Sequence, residues 1–422
     1  MSNIRKLQFI VLILITFFIG YFVGTSKINV DWKNYKPILS VSNKEPPPGA
    51  SVDFTNFWAV WQGVNDKYYD KTKIDSQKML NGAISGMIST LEDPFTLYLP
   101  PVSNTGFKQS MAGEFQGIGA ELGMKDNRIV VISPLADSPA IKAGIKPEDL
   151  ILKVDGVLTQ GWSLSQAVTK IRGPKGTFVT LAVLHKDSKT SQDIKIARGV
   201  ITVKSIDGYV KKIKDVTGIR TTSIIKSHGE DEIMYLRLSQ FGDKTNADWE
   251  NLINRLNLKV ANNPNFKGVV LDLRNNPGGY LTDAAFIASE FIAQGQPVVI
   301  QEEGGGVQTK LTADRRGFLT TAPVVILINK GSASASEIVS GALRDYNRAK
   351  LIGETSFGKG TVQQAQDLGG GAGVHITIAK WLTPKGIWVN GKGLTPDIKV
   401  TPDSKDQAHD AQLEKAIEEL VK

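Results

Sequence analysis

The sequence predicts an α/β protein of more than one domain, with a strand-rich module set into it and a membrane anchor ahead of it. Three observations carry this. After Tyr209, strand-like and helix-like stretches alternate, the pattern of helices laid on a partly parallel sheet. Between Gly113 and Arg198 short strands are punctuated by glycine, as in a small separate domain. Near the N-terminus an apolar run has the length of a bilayer span. At 422 residues the chain exceeds what one hydrophobic core organises.

In chain order, Arg5 and Lys6 precede residues 7–24, which are apolar except for Gln8 and Thr16. A cleaved signal peptide would end in a small-residue A-x-A-like site, whereas this run closes on Phe22-Val23-Gly24-Thr25-Ser26-Lys27. The expectation is therefore an uncleaved signal-anchor helix over 1–25, with the N-terminus cytoplasmic and the rest on the far side of the membrane. Residues 26–50 are polar and end in Glu45-Pro46-Pro47-Pro48-Gly49, a semi-rigid linker. Over 51–110 apolar residues recur at helical spacing: Phe54, Phe57, Trp58 and Trp61, then Met79, Ile84, Met87, Ile88 and Leu91. Asp93-Pro94 stops that helical segment. The strand-rich domain occupies 111–200, with one helix near 163–171. In 201–400 strands are expected at 233–238, 268–273, 298–301, 324–328, 350–353 and 374–379, and helices near 248–256, 282–293 and 334–344. The tail, 401–422, aligns Leu413, Ala416, Ile417, Leu420 and Val421 on one helical face, which packs on the body or on a second copy.

Composition narrows the chemistry. Hydrophobic residues make up 41% and charged residues 22%, as in folded globular chains. The net charge of +8 is spread along the chain, with Lys211, Lys212 and Lys214 its longest cluster. That favours solubility and mild attraction to anionic lipid over nucleic-acid binding. With no cysteine there is no disulfide, thiol nucleophile or thiolate metal site. The histidines are His185, His228, His375 and His409, without ligand spacing or an HExxH, so neither metal nor cofactor is expected.

Three segments can carry chemistry. Residues 329–337 (Asn-Lys-Gly-Ser-Ala-Ser-Ala-Ser-Glu) lie between an apolar strand and a helix, where a serine hydroxyl is exposed and the helix offers free N–H groups to an oxyanion. Ser334 followed by Glu337 is equally a capping box, and the two roles are compatible. Residues 353–361 (Gly-Glu-Thr-Ser-Phe-Gly-Lys-Gly-Thr) nearly match a phosphate loop, but position 360 is glycine and no helical period follows. A lysine between glycines serves alternatively as a general base once burial eases its deprotonation, or is simply a surface-loop lysine. Residues 269–274 form a buried strand running into Asn275-Asn276-Pro277-Gly278-Gly279, either a tight connection or a source of oxyanion-hole N–H groups. A Ser-His-Asp triad would have to use His375, the one histidine in a core-adjacent segment.

Taken in order, these segments resemble the carboxy-terminal processing peptidases, or tail-specific proteases, of the S41 serine peptidase family. The resemblance covers about residues 51–400 and adds Glu92-Asp93-Pro94-Phe95-Thr96-Leu97-Tyr98-Leu99 before the strand-rich domain. It implies a crotonase/ClpP-like α/β catalytic core beside a PDZ domain, with helices at both ends available for a homodimer. It implies Ser334 as nucleophile, Lys359 as base and Gln363 aligned with that lysine. The oxyanion donors would be Ala335 and a glycine of the turn, Gly279 ahead of Gly278. Gln116-Gly117-Ile118-Gly119 resembles a PDZ carboxylate-binding loop, and Arg172 stands where a relay arginine is expected. The implied function is serine endopeptidase action on extracytoplasmic proteins whose apolar C-termini dock in the PDZ groove. A membrane-anchored PDZ scaffold without peptidase activity is the alternative.

Overall fold

The computed structural model describes residues 14–17, 28–33, 36–41 and 52–422, apart from 126–127, 136–137, 163, 187, 203, 404–405 and 407. Residues Met1–Met79 and Leu80–Lys422 form two compact units. Of the expected anchor only 14–17 is described, as helix; the rest lies outside the described residues. Among the described residues no helix is long and apolar enough to cross a membrane.

Within the first unit, the stretch expected to be a semi-rigid linker, 26–50, contains paired strands. Ile28–Lys33 and Lys36–Val41 pair as an antiparallel hairpin, Val30 opposite Leu39. The sequence alternates there, Ile28, Val30 and Trp32 against Asn29 and Asp31, which is the period of a strand. A helix follows at Thr55–Lys67, along which Phe54, Phe57, Trp58 and Trp61 stack edge to face at 5.0–6.1 Å, with no residue of that helix fully buried.

In the second unit a six-stranded sheet runs in the order Ile206–Lys212, Glu232–Leu238, Phe266–Asp272, Val324–Ile328, Ala349–Gly353, Ile398–Lys399. Its first pair is antiparallel and the others parallel. Val324–Ile328 is buried at all five positions because both faces of a central parallel strand are covered. One face carries the helices Thr245–Val260, Leu281–Ala288 and Ala335–Asp345 around Trp249, Phe291 and Trp381. The other is covered by the C-terminal helix Ala411–Leu420, whose Leu413, Ala416 and Ile417 pack on Val270, Val325, Leu327 and Ile352. The tail's apolar face is thus spent on the body. A second, antiparallel sheet joins Gln308–Thr312, Pro297–Glu303, Gly373–Leu382 and Thr361–Asp367, with Leu97–Leu99 added to Gly373–Leu382.

The strand-rich domain forms its own sheet from Gln192–Ala197, Phe178–Leu184, Leu150–Val154, Arg128–Pro134 and Ala120–Lys125, closed over Ile129, Val131, Ile151, Leu181 and Ile171. It is reached through the helix Pro101–Met111 and left through Gly199–Thr202, which pairs with Glu114–Gly117.

Candidate active site

Three neighbouring parallel strands end on the same edge of the central sheet, so the loops that follow them converge, the usual place for a site in such sheets. Phe266–Asp272 feeds the turn at 275–279, Val324–Ile328 feeds Ser334, and Ala349–Gly353 feeds the loop bearing Lys359. A cavity of about 490 Å³ is lined by Ser334, Lys359, Gln363, Gly278, Gly279 and His375, among others.

Ser334 precedes the helix Ala335–Asp345 with φ 53° and ψ −114°, a conformation costly for a residue with a side chain and one that clusters at functional sites. Its neighbours are otherwise occupied. Buried Ser332 donates its hydroxyl to Leu273 O (2.8 Å), and buried Ser336 donates to Asn276 O (2.9 Å). Only Ser334 of the three opens into the cavity.

Glu337 does more than cap. Fully buried, its Oε2 accepts from the N–H groups of Ser334 (2.9 Å) and Lys359 (2.9 Å), and its Oε1 accepts from Ser356 Oγ (2.5 Å) and Gly358 N–H (2.7 Å). One carboxylate thereby fixes the serine and the lysine loop together. The sequence pointed to the cap but held no signal for the partners 19 to 22 residues on.

Lys359 is half-buried, its Nζ 4.8 Å from the centre of the Phe95 ring, without a carboxylate in ion-pair range among the described residues. Burial holds its pKa below the ordinary lysine value, with Asp93 opposing weakly. No hydrogen bond joins Ser334 Oγ to Lys359 Nζ in this structure; both side chains face the cavity. Gln363, on Thr361–Asp367, donates its amide nitrogen to Thr361 Oγ1 (2.9 Å) and Thr377 Oγ1 (3.1 Å). His375 lies edge-on to Phe107 at 4.4 Å, and burial together with the Lys359 charge lowers its pKa. No carboxylate binds its ring, whereas His185, His228 and His409 all pair with acids away from the cavity. A triad thus lacks its orienting acid. The phosphate-loop alternative also lacks its context, since residues 353–360 lead into a strand.

In the glycine turn, Gly278 donates its N–H to Asn276 Oδ1 (2.9 Å), so that donor is spent. A Cβ on Gly278 would fall 2.8 Å from Ser334 Cβ and 2.9 Å from Ala335 N. Gly279 bridges Phe241: Phe241 N–H donates to Gly278 O (3.0 Å) and Tyr280 N–H to Phe241 O (3.0 Å). Such a parallel bridge turns the N–H of Gly279 itself away from Phe241. Ala335, first in its helix, has no intrahelical acceptor for its N–H. Among the described residues, the N–H groups of Gly279 and Ala335 have no backbone acceptor. Behind the turn, Arg274 clasps Asp272 and, through Nη1 and Nη2 at 2.8 Å, both oxygens of Asp410 ahead of the C-terminal helix. At its far side Tyr280 donates to Asp243 Oδ1 (2.8 Å), and Asn246 Nδ2 donates to Asp283 Oδ1 (3.2 Å). Asp283 Oδ2 and Asn246 Oδ1 are buried without a partner. None of these last contacts was foreseeable from the sequence.

In the strand-rich domain Gly117 and Ile118 are buried and Gly119 sits at φ 75°, where a Cβ would lie 2.5 Å from Ser138 Cβ. Arg172 is exposed, its guanidinium 4.8 Å over the Phe115 ring and the base of its side chain beside Gly117, and it does not line the catalytic cavity.

Residues 232–400 match the model of peptidase family S41, residues 104–184 the PDZ domain, and residues 18–101 the N-terminal domain of the activating protease CtpB. The carboxy-terminal processing protease CtpB of Bacillus subtilis is 32% identical over 404 residues, 94% of this chain and 78% of that one. The chain belongs to peptidase family S41. The same organism's carboxy-terminal processing protease CtpA is 36% identical over 339 residues, 80% of this chain and 67% of its own. A probable CtpA-like serine protease of Staphylococcus aureus is 39% identical, with the match spanning 63% of its length. Among solved structures, a photosystem II D1 C-terminal processing protease aligns with TM-score 0.51 and 27% identity, covering 83% of this chain and 94% of that one. The S41 chain described here is a carboxy-terminal processing serine peptidase carrying a PDZ domain.

Proposed function

We propose that catalysis runs on a Ser334–Lys359 dyad. Neutral Lys359 takes the proton of Ser334 Oγ as that oxygen bonds to the scissile carbonyl carbon. The oxyanion that forms is held by the N–H groups of Ala335 and Gly279. As the intermediate collapses, Lys359 returns the proton to the leaving amine, and water then releases the acyl group from Ser334 by the same steps. Gln363 lines the Lys359 side of the cavity and orients the amine. The observation that carries this reading is Glu337, which ties the backbone of Ser334 to that of Lys359 above one shared cavity. Lys359 lies on the Phe95 ring and not on Ser334, which supports a resting state that substrate completes.

The substrates we propose are proteins outside the cytoplasm with apolar C-termini, captured by strand addition beside Gly117, Ile118 and Gly119, with Arg172 reporting occupancy. The apolar 7–24 run supports a single N-terminal anchor with the catalytic part beyond the membrane. The helix Thr55–Lys67, with Trp58 and Val60 exposed, offers a face for a homodimer. The domains in this reading divide at 25, 50, 110, 200 and 400.

The test is cleavage of an unfolded, apolar-tailed protein by the full chain and by Ser334→Ala, Lys359→Ala and His375→Ala. Loss in the first two with retention in the third supports the dyad. A dead His375→Ala beside an active Lys359→Ala sinks it, and tail binding without any cleavage favours the scaffold.

A further inference from the structure

One route from the PDZ domain to the catalytic turn passes through a short stretch, 239–245, which the mechanism above leaves unused; another joins the same helix to residues 367–371 through Asn104 and Lys108. On one side it grips the C-terminal end of the Pro101–Met111 helix, which leads through Gly113 (φ 67°) into the first PDZ strand. Gln240 Nε2 donates to Ser110 O (3.0 Å) and Asp243 N–H donates to Met111 O (2.9 Å). Gly242 lies so close that a Cβ there would be 2.2 Å from Met111 O. Lys244 Nζ reaches Glu114 of the strand beyond (3.3 Å). On the other side the same residues hold the oxyanion turn, through the Phe241 bridge to Gly278 and Tyr280 and the bond from Tyr280 Oη to Asp243.

The stretch itself is stiff. Thr245 Oγ1 accepts from Gly242 N–H (2.8 Å) and donates to Gln240 O (3.1 Å). Around it the packing is open, with a cavity of about 280 Å³ lined by Met111, Phe115, Gln240 and Pro277, so the stretch has room to shift as a body. The hydrogen bonds and close contacts at its two ends carry displacement, and the open space beside it leaves room for the movement.

We propose that residues 240–243 form a joint that carries the position of the Pro101–Met111 helix and its PDZ domain to the 278–280 turn, with Gln240 as a positioning residue for the Gly279 N–H. Movement of the helix end draws Gln240 and Asp243 by their bonds to the Ser110 and Met111 carbonyls. Phe241 then draws Gly278 and Tyr280, which sets the Gly279 N–H relative to Ser334. This rests on the reading of Gly279 as an oxyanion donor, and assigns the element through which that donor is regulated.

The test uses the full chain in detergent. Gln240→Glu replaces the donor to Ser110 O by an acceptor, and Gly242→Ala presses a methyl on Met111 O from the neighbouring position. Amide exchange is followed in both variants, with kcat and KM on a tailed peptide and the Kd of a free apolar-tailed peptide. The joint predicts exchange rising about tenfold together in 110–116 and 276–281. It predicts kcat falling at least tenfold, with KM and Kd within twofold. Exchange rising in 110–116 alone, or a loss carried by KM, overturns it. Labelling of wild-type Ser334 by an organophosphonate in the presence of the free apolar-tailed peptide separates the two claims: if Ser334 does not react even then, the peptidase mechanism falls and the exchange result still decides the joint.

Discussion

Replacing Glu337 by glutamine changes no shape but breaks the symmetry of its bonds. The carboxylate accepts four, two at each oxygen, and a glutamine keeps one accepting oxygen. The Oε2 position faces two backbone N–H groups, of Ser334 and Lys359, which cannot turn to accept. The Oε1 position faces the Gly358 N–H and the Ser356 hydroxyl, and a hydroxyl can rotate. The amide nitrogen therefore takes the Oε1 position, losing the Gly358 bond and making Ser356 accept from it as well as from Leu394 N–H. Hydrogen bonds to a charged acceptor contribute roughly 1.5–3 kcal/mol each, so losing one and weakening another costs about 2–4 kcal/mol. If about 3 kcal/mol of this is felt in holding Lys359 at Ser334, kcat falls about 100-fold at about 1.4 kcal/mol per decade. The assay is kcat and KM on a tailed peptide alongside a thermal melt. A variant destabilised by 2–4 kcal/mol whose kcat stays within threefold of wild type would show that Glu337 holds the fold and not the dyad.

Other outcomes follow from the same geometry. The rate should climb with pH as Lys359 loses its proton, the limb centred below the ordinary lysine value of 10.5; a pH–kcat profile without that limb counts against Lys359 as base. Burial raises the Asp283 carboxyl to about 6, Asp243 adding to the effect, against 3.8 unfolded. The native state then holds the extra proton between these values, so stability is full below about 4 and is lost as pH rises through about 6, by at most about 3 kcal/mol at 1.36 per unit. Denaturant unfolding from pH 4 to 7 reads this, and Asp283→Asn should flatten the slope. Gly279→Ala sets a Cβ 1.7 Å from Phe241 O at φ 145°, so peptide turnover should fall at least about 100-fold, as when an oxyanion donor is lost. Ile417→Ala should cost about 2–5 kcal/mol in urea unfolding because that side chain is fully buried on the sheet.

The legible parts of the chain were those where a local pattern and the tertiary environment agree. Residues 324–328 are a run of apolar residues because both sheet faces are covered, and the structure places a strand over the same five. The 248–256 helix was found but cut short, its true span being Thr245–Val260. Thr361–Asp367 is not legible as a strand because all its residues but Val362 are polar or exposed at an edge, leaving no alternation to see. The hairpin Ile28–Lys33 with Lys36–Val41 was missed although its alternation was present, since the proline run after it drew the whole stretch into a linker. At the site, short-range signals mark residues 329–337, 353–361 and the glycine turn as candidate segments, and the roles of Ser334 and Lys359 come only from the family resemblance. The contacts that organise them are long-range: Glu337 to Gly358, Arg274 to Asp410 and Asp243 to Tyr280 span 21, 136 and 37 residues, with no local periodicity to mark them.

The three loops that build the cavity are far apart in sequence and become neighbours only through parallel pairing of Phe266–Asp272, Val324–Ile328 and Ala349–Gly353. Pairings of this kind are non-local and form late, after loop-closure entropy has been overcome. The helix Ala411–Leu420 must also dock before Asp410 can close on Arg274 beneath the 275–279 turn. An enzyme that acts on exposed chain ends is most dangerous among unfinished proteins, its own nascent copies included. Here an unfinished copy carries the serine and the lysine but no cavity to join them, so proteolytic competence arrives with the completed sheet.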